Sequence, residues 1–154
     1  MGHKLLLVED DEFKRKKISD FVIGQSWCGD LSVSVSVTGA ISSLDESTFD
    51  ILLLDMAIPN HDEGADGAQG LGGLAVFRYL QMVQRSTNVI VVTQFEALGE
   101  GSTVVDIETL RRVLRDEFGS QFLGLVRYLT DADDWKRQIN EMIIAKEENE
   151  NIDC

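Results

Sequence analysis

Acidic side chains end two apolar runs of this sequence, and a threonine ends a third. Glu9, Asp10 and Asp11 follow KLLLV, Asp55 closes ILLLD, and Thr93 closes NVIVVT. Continuous apolar runs of this length are typical of buried parallel strands. Because the carboxyl ends of parallel strands gather at one edge of a sheet, these polar groups should face one pocket. If the first and third strands are neighbours, at least three carboxylates meet there.

Carboxylates crowded in this way repel one another, and their pKa values rise. A hard divalent cation such as Mg²⁺ relieves the repulsion, because it prefers oxygen ligands. The cation would also screen an incoming phosphoryl group, so that Asp55 could attack it and form an acyl phosphate. Thr93 would offer its hydroxyl to a phosphoryl oxygen. Singly, each residue is more often a turn residue or a helix cap; together they favour phosphoryl transfer.

Strands and helices alternate along the chain. Apolar or alternating runs predict strands at 4–8, 31–38, 51–55, 88–93 and 122–128. Helical spacing of apolar residues predicts helices at 12–23, 40–48, 74–85, 103–118 and 133–146. Five such alternations predict an α/β fold, a doubly wound sandwich around a mostly parallel sheet. We expect a single domain over residues 1–146 and a flexible tail over 147–154.

The formal net charge of −13 on 154 residues repels phosphate backbones, so direct nucleic-acid binding is disfavoured. We find no apolar run of membrane-spanning length and no signal-peptide pattern, and we expect no membrane association. Two cysteines, Cys28 and Cys154, are typical of reduced thiols, which predicts a cytoplasmic location. The basic cluster at 14–17 is predicted to form a solvated helix face, available for docking an acidic partner.

Four segments resemble the receiver domains of bacterial two-component response regulators. They read VEDDEFKRKKI, DILLLDMAIP, GGLAVFRYL and VIVVTQFE, and the resemblance covers nearly the whole chain. It implies a flavodoxin-like fold with five parallel strands in the order 2-1-3-4-5. It also implies Mg²⁺-dependent transfer of a phosphoryl group from a histidine kinase. Such a protein assists its own phosphorylation and is not a turnover enzyme on a separate substrate.

The resemblance assigns roles to five positions. Glu9 and Asp10 match the acidic pair that binds the metal, and Asp55 matches the phosphoacceptor, which also binds the metal. Ala57 would supply a backbone carbonyl to the metal. Thr93 matches the Ser or Thr that moves toward the phosphoryl group on activation.

Two departures from the family pattern bear on the mechanism. The segment between Pro59 and Gly73, which match the proline and glycine of the family, is longer than usual and rich in glycine. We predict that it forms a mobile flap over the Asp55 pocket. The family's lysine at the end of the fifth strand is missing, and Tyr128 takes its position. Arg127, one residue earlier, is the candidate substitute, although a guanidinium does not reproduce the geometry of an ammonium.

The residues after 146 leave no room for a DNA-binding effector, so we expect a stand-alone receiver. It would take its phosphoryl group from a histidine kinase or a phosphotransfer protein and signal by contact with a protein partner, with a homodimer left open. The alternative is an adaptor with the same fold that signals without phosphate, which the missing lysine favours. A phosphatase of the haloacid-dehalogenase type is disfavoured, because the position two residues after Asp55 is Ala57 and not an acid.

Overall fold

The computed structural model describes residues 2–61, 72–94, 97–98 and 105–152. Its strands are β1 (His3–Val8), β2 (Cys28–Ser34), β3 (Ile51–Leu54), β4 (Asn88–Thr93), β5 (Ala97–Leu98), β6 (Val105–Asp106) and β7 (Phe122–Arg127). Its α-helices are α1 (Glu12–Ile23), α2 (Val37–Glu46), α3 (Gly72–Met82), α4 (Ile107–Phe118) and α5 (Asp134–Ile152). No described helix is long and apolar enough to cross a membrane.

The five longer strands form one parallel sheet in the order β2-β1-β3-β4-β7. Counted among themselves, these strands have the order 2-1-3-4-5, so the predicted flavodoxin-like topology is confirmed. Val8 at the end of β1 pairs with Leu54 at the end of β3. The next residues, Glu9 and Asp55, therefore leave the sheet side by side.

Apolar side chains cover both faces of the sheet, which explains why its central strands have no polar alternation. Leu6 and Val8 of β1 belong to the cluster that packs against α2, α3 and α4. Leu5 and Leu7 belong to the cluster that packs against α1 and α5. Each buried side chain of this size contributes about 1.5–3 kcal/mol relative to exposure, so the strand is held rigidly up to its last residue.

The second strand ends earlier than the alternating run 31–38 predicted. β2 stops at Ser34, and α2 begins at Val37 because Ser36 caps it: the Ser36 hydroxyl accepts a hydrogen bond of 3.0 Å from the Gly39 amide. The Val–Ser alternation continues in the sequence across this cap. The period of two residues therefore did not mark the end of the strand.

The regions around the last two helices also differ from the prediction. The predicted helix 103–118 begins only at Ile107, where Asp106 accepts a hydrogen bond of 2.7 Å from the Thr109 amide. Before it, β5 and β6 form an antiparallel pair that the sequence did not predict. The last helix was expected to end at 146 and be followed by a flexible tail, but α5 continues to Ile152. Lys146 and Glu150 form an ion pair one turn apart in this added segment, a spacing that supports helix.

The start of α3 presses directly on the backbone that follows β3. The Gly73 amide donates a hydrogen bond of 2.9 Å to the Met56 carbonyl. A Cβ at Gly73 would lie 2.4 Å from the Asp55 carbonyl oxygen and 2.7 Å from the Met56 Cα. Only glycine permits this approach, which braces Asp55, the residue that follows β3.

We expect Gly73→Ala to lower the free energy of unfolding by roughly 1–3 kcal/mol, because the added methyl group must displace backbone. Gly24→Ala is the matched control, since a Cβ there meets nothing nearer than 3.6 Å. The control should leave stability unchanged or raise it by up to about 1 kcal/mol. Urea denaturation followed by circular dichroism measures both. Equal stabilities for the two variants would contradict the close approach.

Candidate functional site

Three carboxylates converge beyond the ends of β1 and β3. Oxygen atoms of Glu9, Asp10 and Asp55 all lie within 4.8 Å of one another. Glu9 and Asp55 are almost fully buried, at 2% and 3% exposure, and Asp10 is half-buried. The structure thus brings together three of the four acidic side chains that the strand-end pattern selected.

Backbone hydrogen bonds continue past the strand ends and fix these carboxylates. The Asp55 amide donates to the Val8 carbonyl at 3.1 Å, and the Glu9 amide donates to the Ser34 carbonyl at 3.0 Å. The Asp55 Oδ1 atom accepts a hydrogen bond of 3.3 Å from the Ala57 amide. The carboxylates are therefore carried by extensions of the sheet.

The neighbouring acid, Asp11, has a different task. It is exposed and caps α1, where its Oδ1 accepts a hydrogen bond of 2.9 Å from the Lys14 amide. Its own amide donates to Glu9 Oε2 at 3.1 Å. Arg15 donates to the carbonyls of Glu9 and Asp10 at 3.2 Å and 3.1 Å. The first turn of α1 thereby holds the acidic segment in place.

A buried cation of this site, Lys14, was not predicted from the sequence. Lys14, assigned to a solvated helix face, is only 1% exposed, and that assignment was wrong for this residue. Its Nζ lies 2.6 Å from Glu9 Oε1 and 3.5 Å from Asp55 Oδ2, and it donates to the Val92 carbonyl at 3.0 Å. A signal for burial was present, because Lys14, Ile18 and Val22 follow one another at four-residue spacing on the buried stripe of α1.

Burial and mutual repulsion raise the pKa values of the acids. The pKa of Glu9 rises to about 8, first because burial disfavours its charged form and then because Asp55 is negative nearby. Lys14 acts in the opposite direction without cancelling these effects. Burial also raises the pKa of Asp10, and the charge of Asp55 adds to it. One ammonium against three carboxylates leaves an excess of two formal negative charges when all are ionised.

The donor set fits a hard divalent cation. Mg²⁺ carries the two positive charges that the cluster lacks, and it binds carboxylate oxygens while keeping several waters. The raised pKa values of Glu9 and Asp10 mark carboxylates that such an ion would stabilise in the charged form. Ala57, predicted to add its carbonyl, is buried next to Asp55. Its role as a ligand stays a prediction.

The ends of β4 and β7 close the opposite side of the site. Thr93 is fully buried, and its carbonyl accepts a hydrogen bond of 2.8 Å from the Tyr128 amide. Arg127 pairs with Thr93 in the ladder, and its side chain is exposed. Tyr128 is buried, and its ring centroid lies 5.6 Å from Lys14 Nζ. The ammonium of Lys14 thus contacts the carboxylates directly, and the role of Arg127 as a substitute for the missing lysine stays a prediction.

The predicted flap over the site lies mostly outside the described residues, which stop at 61 and resume at 72. Its first residues are anchored to α2. The Pro59 carbonyl accepts from the Val37 amide at 2.9 Å, and the Asn60 carbonyl accepts from the Thr38 amide at 3.0 Å. Pro59 and Asn60 therefore lie along the first turn of α2.

Known proteins resemble this chain over nearly its full length, although no family model matches it. It is 28% identical over 145 residues to the Detocs response regulatory protein DtcB of Enterobacter cloacae, covering 90% of this chain and 97% of that protein. It is also 28% identical over 141 residues to the uncharacterized protein y4jR of Sinorhizobium fredii, covering 88% and 93%.

Solved structures agree on the fold. A CheY-like response regulator receiver domain from Methanospirillum hungatei superposes with a TM-score of 0.69 at 12% identity, with both chains fully covered. The signal receiver domain of a LuxO repressor protein from Vibrio parahaemolyticus gives 0.68 at 17% identity, covering 100% and 99%. The resemblance predicted from the sequence motifs is therefore confirmed, and the chain has the fold of the response-regulator receiver domains.

Proposed function

We propose that this protein is a response-regulator receiver that accepts a phosphoryl group on Asp55. One observation carries the proposal: the Asp55 carboxylate lies, almost fully buried, among Glu9, Asp10 and the Lys14 ammonium. Asp55 thus lies close to two carboxylates that could share a metal ion with it, and close to the ammonium of Lys14. Both groups stabilise negative charge that develops during phosphoryl transfer.

The transfer itself needs only one nucleophile from this chain. An Asp55 oxygen attacks the phosphorus of a phosphohistidine, so that a P–O bond forms and the P–N bond breaks. The departing imidazole nitrogen takes the bonding electron pair and a proton from solvent. The Thr93 hydroxyl donates to a phosphoryl oxygen in the product. The protein is consumed as the acceptor and is not a turnover enzyme.

Glu9, Asp10, Asp55 and the Ala57 carbonyl would hold Mg²⁺ in this proposal. When bound, the ion neutralises charge on the phosphoryl oxygens. Residues of this chain position the ligands: Arg15 and the helix cap at Asp11 hold the acidic segment beside the end of β3. Gly73 lets α3 brace the backbone of Asp55 from the other side.

We propose a histidine kinase or a phosphotransfer protein as the physiological donor, because both carry the phosphohistidine that Asp55 would attack. The near-complete overlap with DtcB, a response regulatory protein by name, supports a response-regulator receiver. The net charge of −13 argues against contact with nucleic acid. We propose that the phosphorylated surface binds a downstream protein and that the protein works in the cytoplasm.

One observation favours a second candidate, an adaptor that signals without phosphate. Tyr128 fills the strand-end position where the family has its lysine, and it is buried. If no other group performed the task of that lysine, Asp55 would accept phosphate poorly. Whether the chain gains a phosphoryl group decides between the two candidates.

We predict that the wild-type chain gains one phosphoryl group when incubated with Mg²⁺ and phosphoramidate, and that Asp55→Asn does not. Intact-mass spectrometry under non-acidic conditions measures the gain. Asp50→Asn is the matched control, because Asp50 is exposed just before the opposite end of the same strand. It should be phosphorylated as fast as the wild type. No gain on the wild-type chain with any small phosphodonor would favour the adaptor.

We also predict that the affinity for Mg²⁺ rises with pH and levels off above about pH 8. Glu9 must lose its proton to bind the metal, and its pKa is raised to about 8. Affinity should therefore rise about tenfold between pH 6 and pH 7. Isothermal titration calorimetry measures it.

Glu9→Gln removes this competition, so its weaker affinity should vary little with pH. Glu12→Gln, on the exposed first turn of α1, should behave as the wild type does. A wild-type affinity that is flat from pH 6 to pH 8 would refute the assignment of Glu9 as a protonated ligand.

A further inference from the structure

The ammonium of Lys14 enters the site from a helix, whereas the resemblance predicts a lysine at the end of the last strand. Lys14 lies on the first turn of α1, between the cap at Asp11 and the buried Ile18. Its three N–H groups face three acceptors: Glu9 Oε1 at 2.6 Å, the Val92 carbonyl at 3.0 Å and Asp55 Oδ2 at 3.5 Å. Nothing in the strand-end pattern requires a cation at this helical position.

We propose that Lys14, presented by α1, is the catalytic cation that binds the phosphoryl group on Asp55 and replaces the missing strand-end lysine. This inference rests on the proposed function, because it needs Asp55 to be the acceptor. It names a residue whose burial, position and contacts differ from those of its neighbours Lys16 and Lys17, which are both exposed.

The contacts of Lys14 suit a cation that changes partners. The hydrogen bond to the Val92 carbonyl holds the ammonium beside Thr93, the residue expected to contact the same phosphoryl group. Its shortest contact is with Glu9, a candidate metal ligand. With Glu9 engaged as a metal ligand, the Lys14 N–H group that now faces Glu9 would be available to a phosphoryl oxygen bonded to Asp55. Metal binding and phosphoryl binding are thereby coupled through one side chain.

Tyr128 explains why the cation comes from α1. Its buried ring lies against the Lys14 ammonium, 5.6 Å from centroid to Nζ, and packs against Trp135 with centroids 5.3 Å apart. The ring occupies the strand-end position from which the resemblance would bring a lysine, and its face attracts the ammonium. The Tyr128 hydroxyl is buried without a hydrogen-bond partner among the described residues.

A buried lysine beside carboxylates could instead be a counterion that serves only folding. Removing one member of a buried ion pair leaves the other uncompensated and is destabilising. The two roles differ once Mg²⁺ is present, because the metal then neutralises the carboxylates whether Lys14 is there or not. A counterion becomes dispensable under that condition, but a phosphoryl-binding cation does not.

The test compares Lys14→Met with Lys17→Met, the same substitution on the exposed face of the same helix. Both are incubated with phosphoramidate at saturating Mg²⁺, and the rate constant for phosphoryl gain is read by intact-mass spectrometry. We expect Lys14→Met to be slower by about 10²-fold, the loss typical when a preorganised charge is removed. Lys17→Met should match the wild type. The Mg²⁺ affinity of Lys14→Met should equal or exceed that of the wild type, because no ammonium competes for Glu9.

A second variant tests the charge directly. In the double variant Lys14→Met with Tyr128→Lys, an ammonium returns from the strand end, and we expect the phosphorylation rate to recover at least tenfold over Lys14→Met. A merely structural role for Lys14 predicts no such recovery. If Lys14→Met does not fold, Lys14→Gln replaces it. The glutamine keeps a donor for the Val92 carbonyl but lacks the charge, and we expect the same slower phosphorylation.

The outcomes separate this inference from the function on which it rests. Phosphorylation of the wild type with equal rates for folded Lys14→Met and Lys14→Gln overturns the role of Lys14 and leaves the acceptor role of Asp55 intact. No phosphorylation of the wild type, although Mg²⁺ binds, overturns both. Slow phosphorylation of both Lys14→Met and Lys14→Gln, together with a recovered rate in the double variant, supports the inference.

Discussion

Three carboxylates within 4.8 Å of one another, two of them almost fully buried, repel each other, and the structure must supply positive charge to keep them together. Part of it comes from Lys14, whose ammonium contacts Glu9 and Asp55. One ammonium does not offset the effects of burial and of the Asp55 charge, which together raise the pKa of Glu9 to about 8. The site is therefore poised to exchange a proton for a metal ion. Its proposed chemistry follows from that deficit of positive charge.

The fold generates this crowding through ordinary features of a parallel sheet. Two neighbouring strands end in register, so that Glu9 and Asp55 leave the sheet together. Helix α1 begins at once, and its cap, Arg15 and Lys14 all hold the acidic segment. On the other side, Gly73 allows the backbone of Asp55 to be braced by α3. Packing on both faces keeps the strands rigid up to the residues that carry the charge.

The sheet and the acidic cluster could be predicted from sequence because both depend on local patterns. Continuous apolar runs mark the central strands, and a carboxylate at the end of such a run is conspicuous. The burial of Lys14 was not predicted because three more basic residues follow it, and a basic run on a helix usually faces solvent. Its burial depends on the angle at which α1 packs on the sheet, which no single segment encodes. The four-residue spacing from Lys14 to Ile18 was the available clue.

Element ends were predicted less well where side chains cap or extend a helix. Ser36 ended an apparent strand by capping α2, and Asp106 delayed the start of α4. From the sequence, Tyr128 indicates only that the family's strand-end lysine is missing. In the folded chain its ring lies against Lys14, so the strand-end change and the helical lysine belong to one arrangement. Such compensation between distant residues becomes visible only when the packing is known.

The most direct test is a crystal structure of the protein with Mg²⁺ and beryllofluoride, a mimic of the phosphoryl group. We expect beryllofluoride on an Asp55 oxygen and the metal bound by Glu9, Asp10 and Asp55. We also expect the Lys14 ammonium within hydrogen-bond distance of a fluorine atom. Beryllofluoride bound elsewhere, or a metal that does not touch Asp55, would contradict the acceptor role of Asp55.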